Sequence, residues 1–137
     1  MEFVHTADII EKRAMEVCKN WPKRYMFIIT QRTIALASEL YESVQKANAI
    51  MPKSEAERTQ RILLLEQAMG ANYAFAQKIE RAFSMFPLCS PKPSAAEEEQ
   101  KIMGILEEFM GYCDTEDEAL KGNLTYTRNM SLGKAEK

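Results

Sequence analysis

Apolar residues recur along the chain at helical spacing, and five prolines, Pro22, Pro52, Pro87, Pro91 and Pro93, divide that pattern into four segments. A proline inside a helix costs about 3 kcal/mol, so helix breaks belong near these positions. The first segment, about Thr6 to Asn20, sets Ile9, Ile10, Met15 and Cys18 toward one face, with Thr6 as its cap. The second runs from about Lys23 to Ile50. In it Ile29, Thr33, Leu36, Leu40, Val44 and Ala47 fall 4, 3, 4, 4 and 3 residues apart, one stripe of a helix about 40 Å long. Pro22 stands at its start, where the missing N–H costs nothing. Tyr25 to Thr30 has a strand-like composition but continues the stripe, and is read as the first turns of this helix.

The third segment opens on Ser54-Glu55-Ala56-Glu57, the S-x-x-E capping box. In that motif the serine oxygen takes a free backbone N–H and the glutamate returns to the serine's own N–H. Ile62, Leu65, Met69, Asn72, Ala76, Ile79, Phe83 and Phe86 then alternate 3 and 4 apart, with Tyr73 and Leu64 widening the face and Pro87 ending it. A period nearer 3.5 than 3.6 predicts a coiled-coil-like seam. Cys89 to Ser94 is a proline-rich connector. Ser94 is the expected cap of the fourth helix, with Glu97 as its partner, and Glu97, Glu98 and Glu99 lie in a first turn that favours negative charge. Ile102, Met103, Leu106, Phe109, Met110 and Cys113 form its apolar face; Gly104 and Gly111, seven apart, are either points of close helix approach, the preferred reading, or tolerated defects costing about 1 kcal/mol each. The pattern lapses at about Gly122. The expectation is therefore an all-α fold, an antiparallel up-and-down four-helix bundle over residues 1–121, followed by a flexible C-terminal tail over 122–137. Its core is expected at Ile29, Leu36, Leu40, Leu65, Met69, Phe83, Leu106 and Phe109.

Composition narrows the function classes. With 46% hydrophobic and 28% charged residues and a net charge of −2, the bulk of the chain is not disordered. Five Gly and nine Met suit helices better than a turn-rich sheet protein. No run approaches the roughly 20 apolar residues of a membrane span, and Glu2, His5 and Asp8 interrupt any signal-like segment. Cys18, Cys89 and Cys113 are odd in number and far apart, so they read as reduced thiols of a cytoplasmic protein. The single His5 leaves no imidazole for a triad or a histidine metal site, and no E-x-x-H or phosphate-binding glycine loop occurs. No enzyme activity, cofactor or metal is expected.

Charge is unevenly placed. Between Glu11 and Arg32, six cations (Lys12, Arg13, Lys19, Lys23, Arg24 and Arg32) stand against Glu11 and Glu16; between Glu97 and Glu118, nine acids stand against Lys101. The basic stretch, with Trp21 and Tyr25 beside it, has the ingredients to meet phosphates and bases. On charge alone the favoured reading is a solvated surface that pairs with the acidic helix, within the chain or between subunits.

Asn20-Trp21-Pro22-Lys23-Arg24-Tyr25, then Thr30-Gln31-Arg32, then Lys46-Ala47-Asn48-Ala49-Ile50-Met51-Pro52 together resemble a known family. It comprises the four-helix-bundle proteins related to the accessory variability determinant of diversity-generating retroelements and to 23S rRNA intervening-sequence proteins. The resemblance spans about Asn20 to Phe86. It implies a non-catalytic bacterial or phage protein that forms a homo-oligomer, a barrel-shaped pentamer in the retroelement member. That member binds reverse transcriptase and RNA for mutagenic cDNA synthesis. Lys23, Arg24 and Arg32 match basic positions of the motif, and Trp21 its aromatic entry; Lys12, Arg13 and Lys19 join them from local charge alone. The retroelement proteins are strongly basic, whereas this chain has a pI near 5.6. The alternative is an acidic helical-bundle interaction protein that binds only protein partners. A purely structural reading of the motif makes Trp21 and Tyr25 a hydrophobic hinge between the first two helices, with Arg24 and Arg32 paired to the acidic fourth helix.

Overall fold

The computed structural model describes residues 2–19, 21, 29–89 and 95–131. They form four helices, α1 (Glu2–Cys18), α2 (Gln31–Ala49), α3 (Glu55–Cys89) and α4 (Ala95–Arg128), and no strand appears among the described residues. Each helix packs on its neighbour in the chain, and α4 closes back on α1. Polar contacts fix the directions. Arg61 of α3 reaches Asn123 and Thr127 of α4, while Asn72 reaches Cys113, so rising numbers meet falling ones and the pair is antiparallel. The fold is the expected four-helix bundle. Among the described residues, no helix is long and apolar enough to cross a membrane.

The seam alternates as expected, but its register differs. On α3 the buried set is Arg61, Leu65, Ala68, Asn72, Phe75, Ile79 and Ala82, with Ala71 and Phe83 beside it. The sequence stripe shares Leu65, Asn72, Ile79 and Phe83 with this set, but Ile62, Met69 and Ala76 lie half-buried at its margin. Two adjacent registers satisfy a 3.5-residue period. The interior takes the one that places the small Ala68, Ala71 and Ala82 between large neighbours, which lets helices approach. Tyr73 points outward and is 69% exposed rather than widening the core face. On α1 the buried residues are Phe3, Thr6, Ala7, Ile10, Ala14, Val17 and Cys18. Thr6 is thus an interior position rather than a cap, and Met15 is exposed. Phe75 and Phe109 meet edge-on across α3 and α4 with centroids 5.5 Å apart, each burying on the order of 1.5–3 kcal/mol of side chain.

The α3 capping box forms with one change. The Glu57 N–H donates to Ser54 Oγ at 3.1 Å, while the Glu57 carboxylate accepts from the Lys53 N–H at 3.3 Å rather than from that of Ser54. α3 continues through Pro87 to Cys89 instead of stopping at the proline. The expected Ser94 cap and the expected first turns of α2 up to Ile28 lie outside the described residues. Gly104 and Gly111 do not mark close approach: nothing lies within 4 Å of a Cβ added at either.

The expected tail boundary at 122 is corrected. α4 runs to Arg128, with Leu124 and Thr127 buried in the bundle. Hydropathy lapsed because the inward positions there are Glu116, Leu120, Leu124 and Thr127, half of them polar. Arg61 is what holds this segment. Its Nε donates to Thr127 Oγ1 at 3.1 Å and its Nη2 to Asn123 Oδ1 at 2.7 Å. Its Nη1 donates to the carbonyls of Ala47 and Ile50, each at 2.8 Å, so it caps the C-terminus of α2. Only 1% exposed, the guanidinium has no carboxylate partner among the described residues, and burial holds its pKa below the ordinary value.

Candidate functional site

The sequence nominated Lys12, Arg13, Lys19, Trp21, Lys23, Arg24 and Arg32, and the fold disperses those it describes. Lys12 is exposed and pairs with Asp8 one turn earlier at 3.0 Å. Arg13 faces α4. Its Nε and Nη2 donate to the two carboxylate oxygens of Glu108 at 2.8 and 3.2 Å, and its Nη1 pairs with Glu16 at 3.0 Å. The Tyr112 hydroxyl also donates to Glu108 at 3.1 Å. These bonds, that from Arg13 foremost, hold the Glu108 carboxyl below its usual range and raise the Arg13 pKa. A bidentate pair of this kind leaves Arg13 little capacity for a phosphate. Lys19 is exposed in the turn after α1. Lys23 and Arg24 lie outside the described residues.

Trp21 serves packing. Its ring meets Phe83 edge-on at 5.9 Å and 81°, and it covers a small cluster of Ile29 and Ala82. Edge-to-face pairs of this kind add about 0.5–1.5 kcal/mol beyond area burial. The cluster closes the end of the bundle where α1 finishes and α2 begins.

Arg32 is the nominated cation that reaches a concave surface. It projects from the first turn of α2 over α3, where with Leu36, Tyr73, Gln77, Lys78 and Arg81 it lines a shallow groove of about 530 Å³. Among the described residues none of Arg32, Lys78 and Arg81 has a carboxylate within ion-pair distance. Glu80 lies on the same wall. Lys78 and Arg81 were missed in the sequence because they fall outside the basic stretch. The available signal was the outer stripe Tyr73, Gln77, Arg81, spaced by four, on a helix whose core face was already assigned.

Elsewhere the chemistry is sparse. The Cys18 and Cys113 thiols are buried, and burial pushes each up to about 12, which removes thiolate character at neutral pH. Among the described residues no three His, Cys, Asp or Glu side chains come together as metal ligands. The groove can attract an anion by charge and offer it hydrogen bonds; it presents no paired nucleophile and base.

No protein-family model matches this chain, and neither does any curated protein or solved structure.

Proposed function

We propose that this chain is a non-catalytic helical-bundle subunit that binds RNA beside a reverse transcriptase, within a homo-oligomer, as the motif resemblance implies. The observation that carries the RNA part is the gathering of Arg32, Lys78 and Arg81 on one groove without ion-pair partners among the described residues. Three cations on one subunit bind phosphates weakly; repetition around an oligomer multiplies such contacts through effective concentration. Gel shift against RNA tests the reading. With three phosphates neutralised on a single strand, the salt slope is about −2 and affinity falls roughly twenty-fold between about 50 and 200 mM salt. Absence of binding at the lower salt removes the RNA part, and a monomer by light scattering removes the oligomer.

A second reading, a protein-only interaction module, draws on a different observation: Arg13 and Lys12 are already neutralised by Glu108 and Asp8. Charge reversal at Lys78 and Arg81 separates the two. Lost RNA retention with assembly intact supports the first reading, and lost assembly supports the second.

A further inference from the structure

The groove between α2 and α3 is not lined by cations alone. Tyr73 stands on its wall with 69% of its surface exposed, and among the described residues its ring meets no other aromatic. An aromatic ring left in water by a bundle that buries Phe75 and Phe109 completely contributes little to folding. Gln77, one turn on, offers a donor pair and an acceptor at the same wall. Beyond it Lys78 and Arg81 face Arg32 of α2. A flat π surface, an amide and three cations are the parts with which single-stranded nucleic acid is held: stacking for a base, hydrogen bonds for its edge, charge for the backbone. The volume of about 530 Å³ falls in the range of sites for small molecules rather than for a duplex groove or a helix.

Resting on the RNA reading above, we infer that the α2–α3 groove is a single-strand site in which an unpaired base stacks on Tyr73 while its flanking phosphates meet Arg32, Lys78 and Arg81. A duplex presents its phosphates but hides its base faces, so it meets only the cationic half of the site. Glu80 repels phosphate and biases the backbone toward the other cations. An acidic peptide satisfies the same charges but gives Tyr73 nothing to stack on.

The test is fluorescence anisotropy with the full chain at about 50 mM salt, using a labelled oligouridine of about 12 nucleotides, an RNA duplex of the same length and poly-glutamate as competitor. The single strand should bind about ten-fold tighter than the duplex. Tyr73→Ala should lose about ten-fold on the single strand and nothing on the duplex, and Tyr73→Phe should retain the affinity, since the ring and not the hydroxyl stacks. The position is exposed, so both variants fold, and circular dichroism checks that they do. Equal binding of strand and duplex, an unaffected Tyr73→Ala, or displacement by poly-glutamate as effective as by RNA overturns the stacking site while the broader RNA reading stands. Failure of the unaltered chain to bind any RNA overturns both.

Discussion

The two ends of the bundle are closed by opposite chemistry. At the end where α2 finishes and α3 begins, Arg61 is buried and makes four hydrogen bonds: it caps α2 through Ala47 and Ile50 and ties down α4 through Asn123 and Thr127. Arg58 adds a hydrogen bond to the Met130 carbonyl. At the other end, Trp21, Phe83, Ile29 and Ala82 form a greasy plug, and Lys19 in the turn after α1 is exposed. A directional network fixes one geometry, because each buried carbonyl left without its donor is costly. An apolar plug tolerates small rearrangements, because burial has no direction. The polar end therefore fixes how α2, α3 and α4 meet, and the groove lined by Arg32, Lys78 and Arg81 lies between α2 and α3.

Removing the guanidinium is the harshest way to test this contrast. Arg61→Ala removes the guanidinium's donors from the Ala47 and Ile50 carbonyls and from the Asn123 and Thr127 side chains, and should cost about 3–5 kcal/mol by denaturant titration. Arg61→Lys keeps the charge but not the fork, and should recover less than half of the loss. A variant within about 1 kcal/mol of the parent would mean that the network decorates the end rather than holding it.

On α4, two turns before Asn123, lies a buried acid with the opposite problem. Glu116 is fully buried on α4, and among the described residues neither of its oxygens has a hydrogen-bond partner, nor has Asn72 Oδ1 on α3. Burial foremost, then the charge of Glu2 on α1, raises its carboxyl from the ordinary 4.5 to about 8. The unfolded chain loses this proton above about 4.5 while the folded chain keeps it, so folding stability is greatest below that pH and declines until the folded group ionises near 8. Between pH 5 and pH 7 the decline should be about 3 kcal/mol. Glu116→Gln should flatten the profile over that interval; an equal slope in the variant would assign the pH dependence elsewhere.

These two residues also mark where the sequence was opaque. The helices, their number and their antiparallel order follow from proline punctuation and a 3–4 alternation that holds from Ile62 to Phe86 in α3. What hydropathy could not see is that the interior accepts Arg61, Asn72, Glu116 and Thr127. A charged residue scores as surface, so hydropathy puts Ile62 in the stripe in place of Arg61 and reads the last turns of α4 as a tail. The groove was legible only in Arg32. Lys78 and Arg81 come from a helix nearly fifty residues away, and no local charge count joins them.

At the apolar end the effect should be smaller. Trp21→Ala removes an edge-on contact with Phe83 and uncovers Ile29 and Ala82, at a cost of about 2 kcal/mol. Hydrogen exchange should then quicken around residues 29–36 and 79–84 and leave 47–50 and 123–127 protected. Uniform quickening would show that the two ends unfold as one unit and that the softer end is not separately mobile.

The smallest effect belongs to the contact that most directly limits the basic stretch. Arg13 and Glu108 join α1 to α4 through two hydrogen bonds, with their side chains 28% and 31% exposed. Geometry favours the pair and solvent screens it, so a double-mutant cycle with Arg13→Ala and Glu108→Ala should return a coupling of about 1 kcal/mol at low salt, declining as salt is added. The same variants carry a functional readout. Glu108→Ala leaves Arg13 with only Glu16 beside it, so if cations of α1 contribute to RNA affinity at all, this variant should bind RNA more tightly than the parent. Unchanged affinity, with the coupling intact, would confine the RNA contact to Arg32, Lys78 and Arg81 on the far side of the bundle from that pair.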